Sequence, residues 1–282
     1  LEFGGIYARV EPQHLDETSF EDLASGSTLE TSFDLAEVYD LSKGGRFTVR
    51  SQGALSFAKE ATLNLIGSVG YSSNILEADI EGAEASKAQS VSSLHEKRGP
   101  VKRTVIQGDC DVDDRRSVIL GGLYMCTIYA SGASNITFAR EKEDKLIEYF
   151  KRSDSLTVFK VGGGLSLIAD VCKKADSGDT KIFCSDRYNF CRPGVPAYTV
   201  PNDSSMVYCD SFFDNPSSEP GNCHQGDLGT TILHEASHLK ETIATSDYGT
   251  YGYEGLRGLT ADQNINHADT YTYYAQALIL GC

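Results

Sequence analysis

The chain of 282 residues has no tryptophan, two methionines, seven prolines and no run of eighteen consecutive apolar residues. The last absence leaves no sequence-level membrane span. Basic residues are scarce, 25 against 40 acidic ones, and the resulting net charge of −15 argues against nucleic-acid binding. No Gly-x-Ser-x-Gly elbow of a serine hydrolase occurs. The triplet Gly162-Gly163-Gly164 lacks the Gly-Lys-Ser/Thr ending of a phosphate loop and reads as a close helix contact. Cysteine is missing from the first 109 residues, and none of the eight that follow forms a Cys-x-x-Cys zinc or redox pair.

Among the six histidines, two stand four apart in His234-Glu235-Ala236-Ser237-His238. On a helix, residues four apart share a face, so both imidazoles can reach one zinc ion with Glu235 beside them as a general base. Asp227 offers an N-cap, and Leu228, Ile232 and Leu239 give the helix an apolar face to bury. Zinc used catalytically takes a third protein ligand and keeps one position open. The long metzincin pattern would need Gly and His where this chain has Glu241 and Ala244, which excludes it. A thermolysin-like third ligand would fall near Glu254, but Gly258 stands where a supporting acid is expected.

The helix is followed by Ala244-Thr245-Ser246-Asp247-Tyr248-Gly249-Thr250-Tyr251-Gly252-Tyr253 and later by Asn266-His267-Ala268-Asp269-Thr270-Tyr271. With the histidine motif, these segments resemble the deuterolysin family of fungal zinc metalloendopeptidases, the aspzincins, whose G-T-x-D-x-x-Y-G motif supplies an Asp as third ligand. The resemblance covers residues 104–282. It implies Asp247 as that ligand, with His234 and His238, and Tyr251 as the motif tyrosine that would bond the oxyanion. Ala244 replaces the motif glycine and one extra residue separates Asp247 from Tyr251, so Tyr248 competes for that role. Thr245 is the nearest donor to steady Asp247. Asp269 would orient a zinc histidine or line the pocket for the residue after the scissile bond, where the family leans toward basic side chains. His224 and His267 read as structural.

The resemblance also favours disulfides Cys110 with Cys184, Cys191 with Cys209, and Cys223 with Cys282. Cys126 and Cys172 remain, as an additional bridge between two helices or as two buried free thiols. An even cysteine count in one compact region, and the sequons at Asn135 and Asn202, suit a secreted, extracellular glycoprotein. The chain does not begin with methionine and shows no signal peptide, so the expectation is a removed presequence or a start inside a longer protein.

Cysteine distribution divides the chain. Residues 1–76 carry short strand signals at 29–38, 46–50 and 62–66 around the turn Gly44-Gly45, and read as a small β-sandwich. Residues 77–103 are rich in Glu, Ala and Ser, lack aromatics and read as a mobile linker. It ends in the dibasic pairs Lys97-Arg98 and Lys102-Arg103, and cleavage after Arg103 by a proprotein convertase would free residues 104–282. The first part would then be a propeptide that assists folding or covers the cleft, with the linker and its His95 near the active site.

Residues 104–282 read as mostly helical, with helices expected at 116–130, 137–150, 158–174 and 269–280, and short strands at 197–200 and 206–209 whose edge could bind an extended substrate. The expected fold is α+β: a zincin-type, mostly helical catalytic domain with a small antiparallel sheet, behind an all-β, sandwich-like propeptide domain. The expected function is a secreted, monomeric zinc endopeptidase in proenzyme form, one Zn2+ per chain, acting on protein or peptide substrates. With 15 basic and 24 acidic residues, the downstream part is compatible with cationic substrates. The competing reading is an inactive zinc-binding or surface interaction protein, against which the retained Glu235 speaks.

Overall fold

The computed structural model describes residues 1, 3–59, 62–88, 105–173, 175, 178–214 and 222–282. Lys97, Arg98, Lys102, Arg103 and His95 lie outside the described residues. Four helices form the core: α2 (Arg115–Phe138), α4 (Ser155–Lys173), α6 (Leu228–His238) and α9 (Ala268–Leu280). Between α2 and α4 lies α3 (Glu143–Phe150), and the shorter α5 (Asp210–Asp214), α7 (Gly252–Arg257) and α8 (Ala261–Asn264) fill the connections. By length and composition α2 and α4 could each cross a membrane, but half of each apolar window is buried in the core.

A Cβ at Gly229 would stand 2.6 Å from Met125 Cβ and 3.1 Å from the backbone nitrogen of Cys126, so glycine sets how closely α6 crosses α2. Behind that crossing, Cys126 is bridged to Cys172, joining α2 to α4. The other bridges are Cys110–Cys184, Cys191–Cys209 and Cys223–Cys282.

The sheet is mixed, where the sequence suggested an antiparallel one. Its order is β1 (Tyr7–Ala8), β8 (Ala197–Val200), β9 (Ser205–Tyr208), β7 (Lys181–Phe183), β6 (Val105–Ile106). The β6–β7 and β7–β9 pairs are parallel; β8–β9 and β1–β8 are antiparallel. Residues 105–106 and 181–183 are too short for periodicity to reveal, and their parallel pairing follows from helical crossovers.

No sandwich forms in the described part of residues 1–88. Strand β2 (Gly45–Val49) pairs with β5 (Leu76–Ile80), and within that loop β3 (Gln52–Ala58) pairs with β4 (Leu65–Ser72). Ser73 N donates to Ser51 O at 2.8 Å between the two ladders, so they continue as one long two-stranded ribbon. Leu55, Ile66 and Val69 are exposed on it. A lone ribbon is marginal unless something packs on it; here Ala54 is buried and its N–H donates to Tyr248 O at 2.7 Å. Residues 29–38 are not a strand: Leu29 and Phe33 point to solvent, and Asp34 caps a 3-10 turn at Leu35–Glu37. Nor is 77–88 an unstructured linker, since β5 runs to Ile80 and α1 (Gly82–Ala85) follows.

Candidate metal centre

Helix α6 is positioned by its first turn. Asp227 accepts the Thr230 N–H at 2.7 Å while Thr230 Oγ1 accepts the Asp227 N–H at 2.7 Å, a reciprocal cap. The second Asp227 oxygen accepts from Tyr129 of α2 at 2.8 Å and from Gln276 of α9 at 3.3 Å, fixing the helix against both neighbours. All eleven residues of α6 are buried, including His234, Glu235 and His238.

The loop after the helix folds back on it. Thr245 N donates to Ser237 O at 3.0 Å, and Ser246 bridges to His267, with Ser246 N on Asn266 O at 2.9 Å. This returns Asp247 to the histidine face and ties it to the start of α9. Ala244 and Tyr248, on either side, have φ of 56° and 52°. The motif glycine replaced by Ala244 thus belongs at a left-handed position that costs a Cβ-bearing residue strain.

His234 Nε2 and His238 Nε2 are 3.2 Å apart, and Asp247 Oδ1 lies 3.3 Å from the first and 3.4 Å from the second. Donors about 2.0–2.2 Å from a tetrahedral zinc stand about 3.3–3.5 Å from one another. The outer ring nitrogens fix which atoms face inward. His238 Nδ1–H donates to Thr245 O at 3.0 Å, and His234 Nδ1–H to Asp269 Oδ1 at 2.7 Å. Both Nε2 atoms therefore present lone pairs to a carboxylate oxygen, an arrangement that needs a cation at its centre. Asp247 Oδ1 and Glu235 Oε1 are buried with no hydrogen-bond partner, as a metal ligand and a base facing it should be. The donor set fits zinc.

Charge in the pocket follows the same logic. Burial opposes a charged His234, but Asp247 and then Asp269 outweigh it and raise the imidazole to about 10. Burial likewise opposes ionisation of Asp247, yet His238 and His234 hold it well below the usual carboxylate range. Asp269, where burial is also overcome by His234 and Arg9, is held at about 2. Glu235 is pushed up by burial, against the pull of the two imidazoles and the Thr199 hydroxyl.

Asp269 is the hub of the site. Besides His234 it accepts the Gly252 N–H at 2.6 Å on Oδ2, and Arg9 Nη1 lies 3.4 Å from Oδ1. Thr245, expected to steady Asp247, supports His238 instead, because its carbonyl faces that ring. Tyr251 caps α7; burial first, then Asp247, Asp269 and Glu235, raise its hydroxyl well above the usual phenol range, so it belongs to the same electrostatic cluster. Tyr248 turns away, its hydroxyl 3.3 Å from Asn266 Nδ2. Glu254 is exposed and pairs with Arg257, away from the cluster. His267 binds Thr270 and Thr250 O, and His224 stacks on Tyr253, both as packing residues.

Sequence reasoning missed Thr199. Its Oγ1 lies 2.6 Å from Glu235 Oε2 and is fully buried on β8, a role that no motif marks.

The deuterolysin metalloprotease (M35) family model matches residues 1–282. A neutral protease 2 homolog of Colletotrichum graminicola is 38% identical over 282 residues, covering 100% of this chain and 78% of its own length. One from Phaeosphaeria nodorum is 41% identical over 280 residues, covering 99% and 77%. Penicillolysin of Penicillium citrinum is 35% identical over 283 residues, covering 99% and 77%. Among solved structures, a zinc peptidase from Grifola frondosa aligns with TM-score 0.47 and 17% identity over 58% of this chain and 96% of that one. The chain belongs to the deuterolysin metalloprotease family and is a zinc metalloendopeptidase.

Proposed function

We propose that this chain is the proenzyme of a secreted endopeptidase in which His234, His238 and Asp247 hold the zinc and Glu235 is the general base. The observation that carries the reading is the triangle of inward-facing donors at 3.2, 3.3 and 3.4 Å with the free Glu235 oxygen beside it.

When bound, zinc would polarise the scissile carbonyl and acidify the attacking water. Glu235 Oε1 takes the water proton and delivers it to the leaving amine, while Thr199 holds Oε2. Tyr251 donates to the oxyanion as charge develops. Asp269 keeps the His234 proton on Nδ1 and offers negative charge to a basic side chain after the scissile bond, a preference supported by its pairing with Arg9.

Residues 1–103 act as propeptide, with 1–76 as its β-rich domain, and a convertase cuts after Arg103. The first strand beyond that cut is β6 at Val105–Ile106, so the break would leave the sheet of the released part complete on that side. The four disulfides suit an oxidising compartment, and the sequon residues Asn135 and Asn202 are both exposed. The released part works as a monomer.

The test is hydrolysis of an unfolded basic protein by the zinc-loaded, processed chain, with chelator, with zinc restored, and with Glu235→Gln. Chelator-sensitive cleavage lost in the variant supports the assignment. Bound zinc with no cleavage after processing would return the chain to the class of inactive zinc-binding proteins.

A further inference from the structure

The edge of β8 is already filled by the chain's own N-terminal segment. Tyr7 pairs with Thr199 and Ala8 with Tyr198, antiparallel. The contact continues past the strand, with Arg9 N on Ala197 O at 3.1 Å and Glu11 N on Gly194 O at 2.8 Å. An extended peptide laid along a free sheet edge is how a protease takes hold of substrate backbone. Thr199, against which Tyr7 registers, is the residue that holds the base.

The side chains of this segment reach the centre itself. The Tyr7 ring stacks on the ring of His238 with centroids 4.5 Å apart and 16° between planes. Arg9 is 2% exposed, with Nη1 3.4 Å from Asp269 and Nε 3.7 Å from Glu11. Burying a guanidinium is costly unless acids are arranged to receive it; here the receiving acid is the one that orients His234. With the segment in place His234, Glu235 and His238 are fully buried.

We propose that residues 6–11 are a substrate-mimicking strap: they occupy the peptide-binding edge, seat Arg9 on Asp269 as a basic substrate side chain would sit, and keep the intact chain latent. The inhibitory element is thus this segment, not the linker near His95. This rests on the endopeptidase reading of the same site.

The experiment uses the full chain with Lys97→Ala, Arg98→Ala, Lys102→Ala and Arg103→Ala, so that it stays intact, and compares Arg9→Glu and Tyr7→Ala with Leu23→Glu, an exposed position in the same region. Hydrogen exchange at the amides of residues 7–11 and 197–199 reports whether the strap has left, and circular dichroism and zinc content report whether the fold holds. Loss of one partner of a buried charge pair should speed release and raise peptide hydrolysis by about tenfold or more, with Leu23→Glu silent. Strap amides that exchange quickly in folded, zinc-loaded variants without a rise in hydrolysis would overturn the proposal. If a variant unfolds, the decision passes to the synthetic peptide of residues 5–14, which should inhibit the unaltered chain after cleavage at Arg103, and whose failure to inhibit would equally overturn it. The same cleaved chain separates the two readings. Its activity, if absent or insensitive to Glu235→Gln, fails the endopeptidase assignment; if present while the loosened intact chain is silent, it fails only the strap.

Discussion

Thr199 Oγ1 donates to Glu235 Oε2 at 2.6 Å, and the same hydroxyl lies 3.0 Å from the Glu235 backbone oxygen. Strand β8, on whose edge β1 pairs, and helix α6, which carries Glu235, are joined through this side chain.

Thr199→Val should therefore lower kcat with little change in KM. Hydrogen bonds to charged groups contribute about 1.5–3 kcal/mol, a fall of about 10–100-fold in rate. Thr199→Ser should restore most of it. Steady-state kinetics of the three processed proteins check this, and an effect confined to KM would assign Thr199 to peptide binding alone.

Asp269→Asn keeps Oδ1 as an acceptor for His234 but removes the negative charge and puts an NH2 donor where Oδ2 takes the Gly252 N–H. Zinc affinity should fall about 10–100-fold, the usual effect of losing a partner behind a ligand histidine. Competition with a chromophoric chelator measures it. Unchanged affinity would show that His234 needs no carboxylate behind it.

Ala244 is exposed at φ 56°, so Ala244→Gly should relieve left-handed strain. The gain, after the extra freedom glycine brings to the unfolded chain, should be about 0.5–1 kcal/mol. Urea unfolding with zinc held constant reads it directly.

Acid should loosen the sheet before neutral pH matters. Burial alone would raise Asp186 and Asp203, but donors outweigh it and lower both. Phe190 N at 2.9 Å and the Tyr198 hydroxyl at 2.7 Å serve Asp186; Lys181 and the Tyr188 hydroxyl, both at 2.6 Å, serve Asp203. Carboxylates lowered in the folded state contribute stability that is present above the unfolded value of about 3.9 and lost as pH falls through the lower folded one. Asp203→Asn should flatten that acid limb, as measured by the melting temperature from pH 5 down to pH 2.

The sequence was most legible where chemistry demands a fixed spacing. His234, Glu235 and His238 were placed by helical period alone, because the metal needs both imidazoles on one face. Asp247 needed the family resemblance, since eight residues of loop separate it from His238 and no period links them. Local pattern misled at residues 29–38, where Leu29 and Phe33 are exposed, and at 77–80, where polar composition concealed an edge strand paired with β2. Tyr7–Ala8 could not be found at all. A two-residue strand has no period, and its partner lies some 190 residues away.

Each of the four disulfides joins residues at or beyond Cys110, and none reaches the N-terminal region. Once the backbone between the two regions is cut, only non-covalent contacts hold them together, and mass action governs their separation. On the strap proposal, the active fraction after cleavage then becomes a matter of dilution: a dilute nicked sample should settle at a higher activity than a concentrated one, even when both are cut to completion.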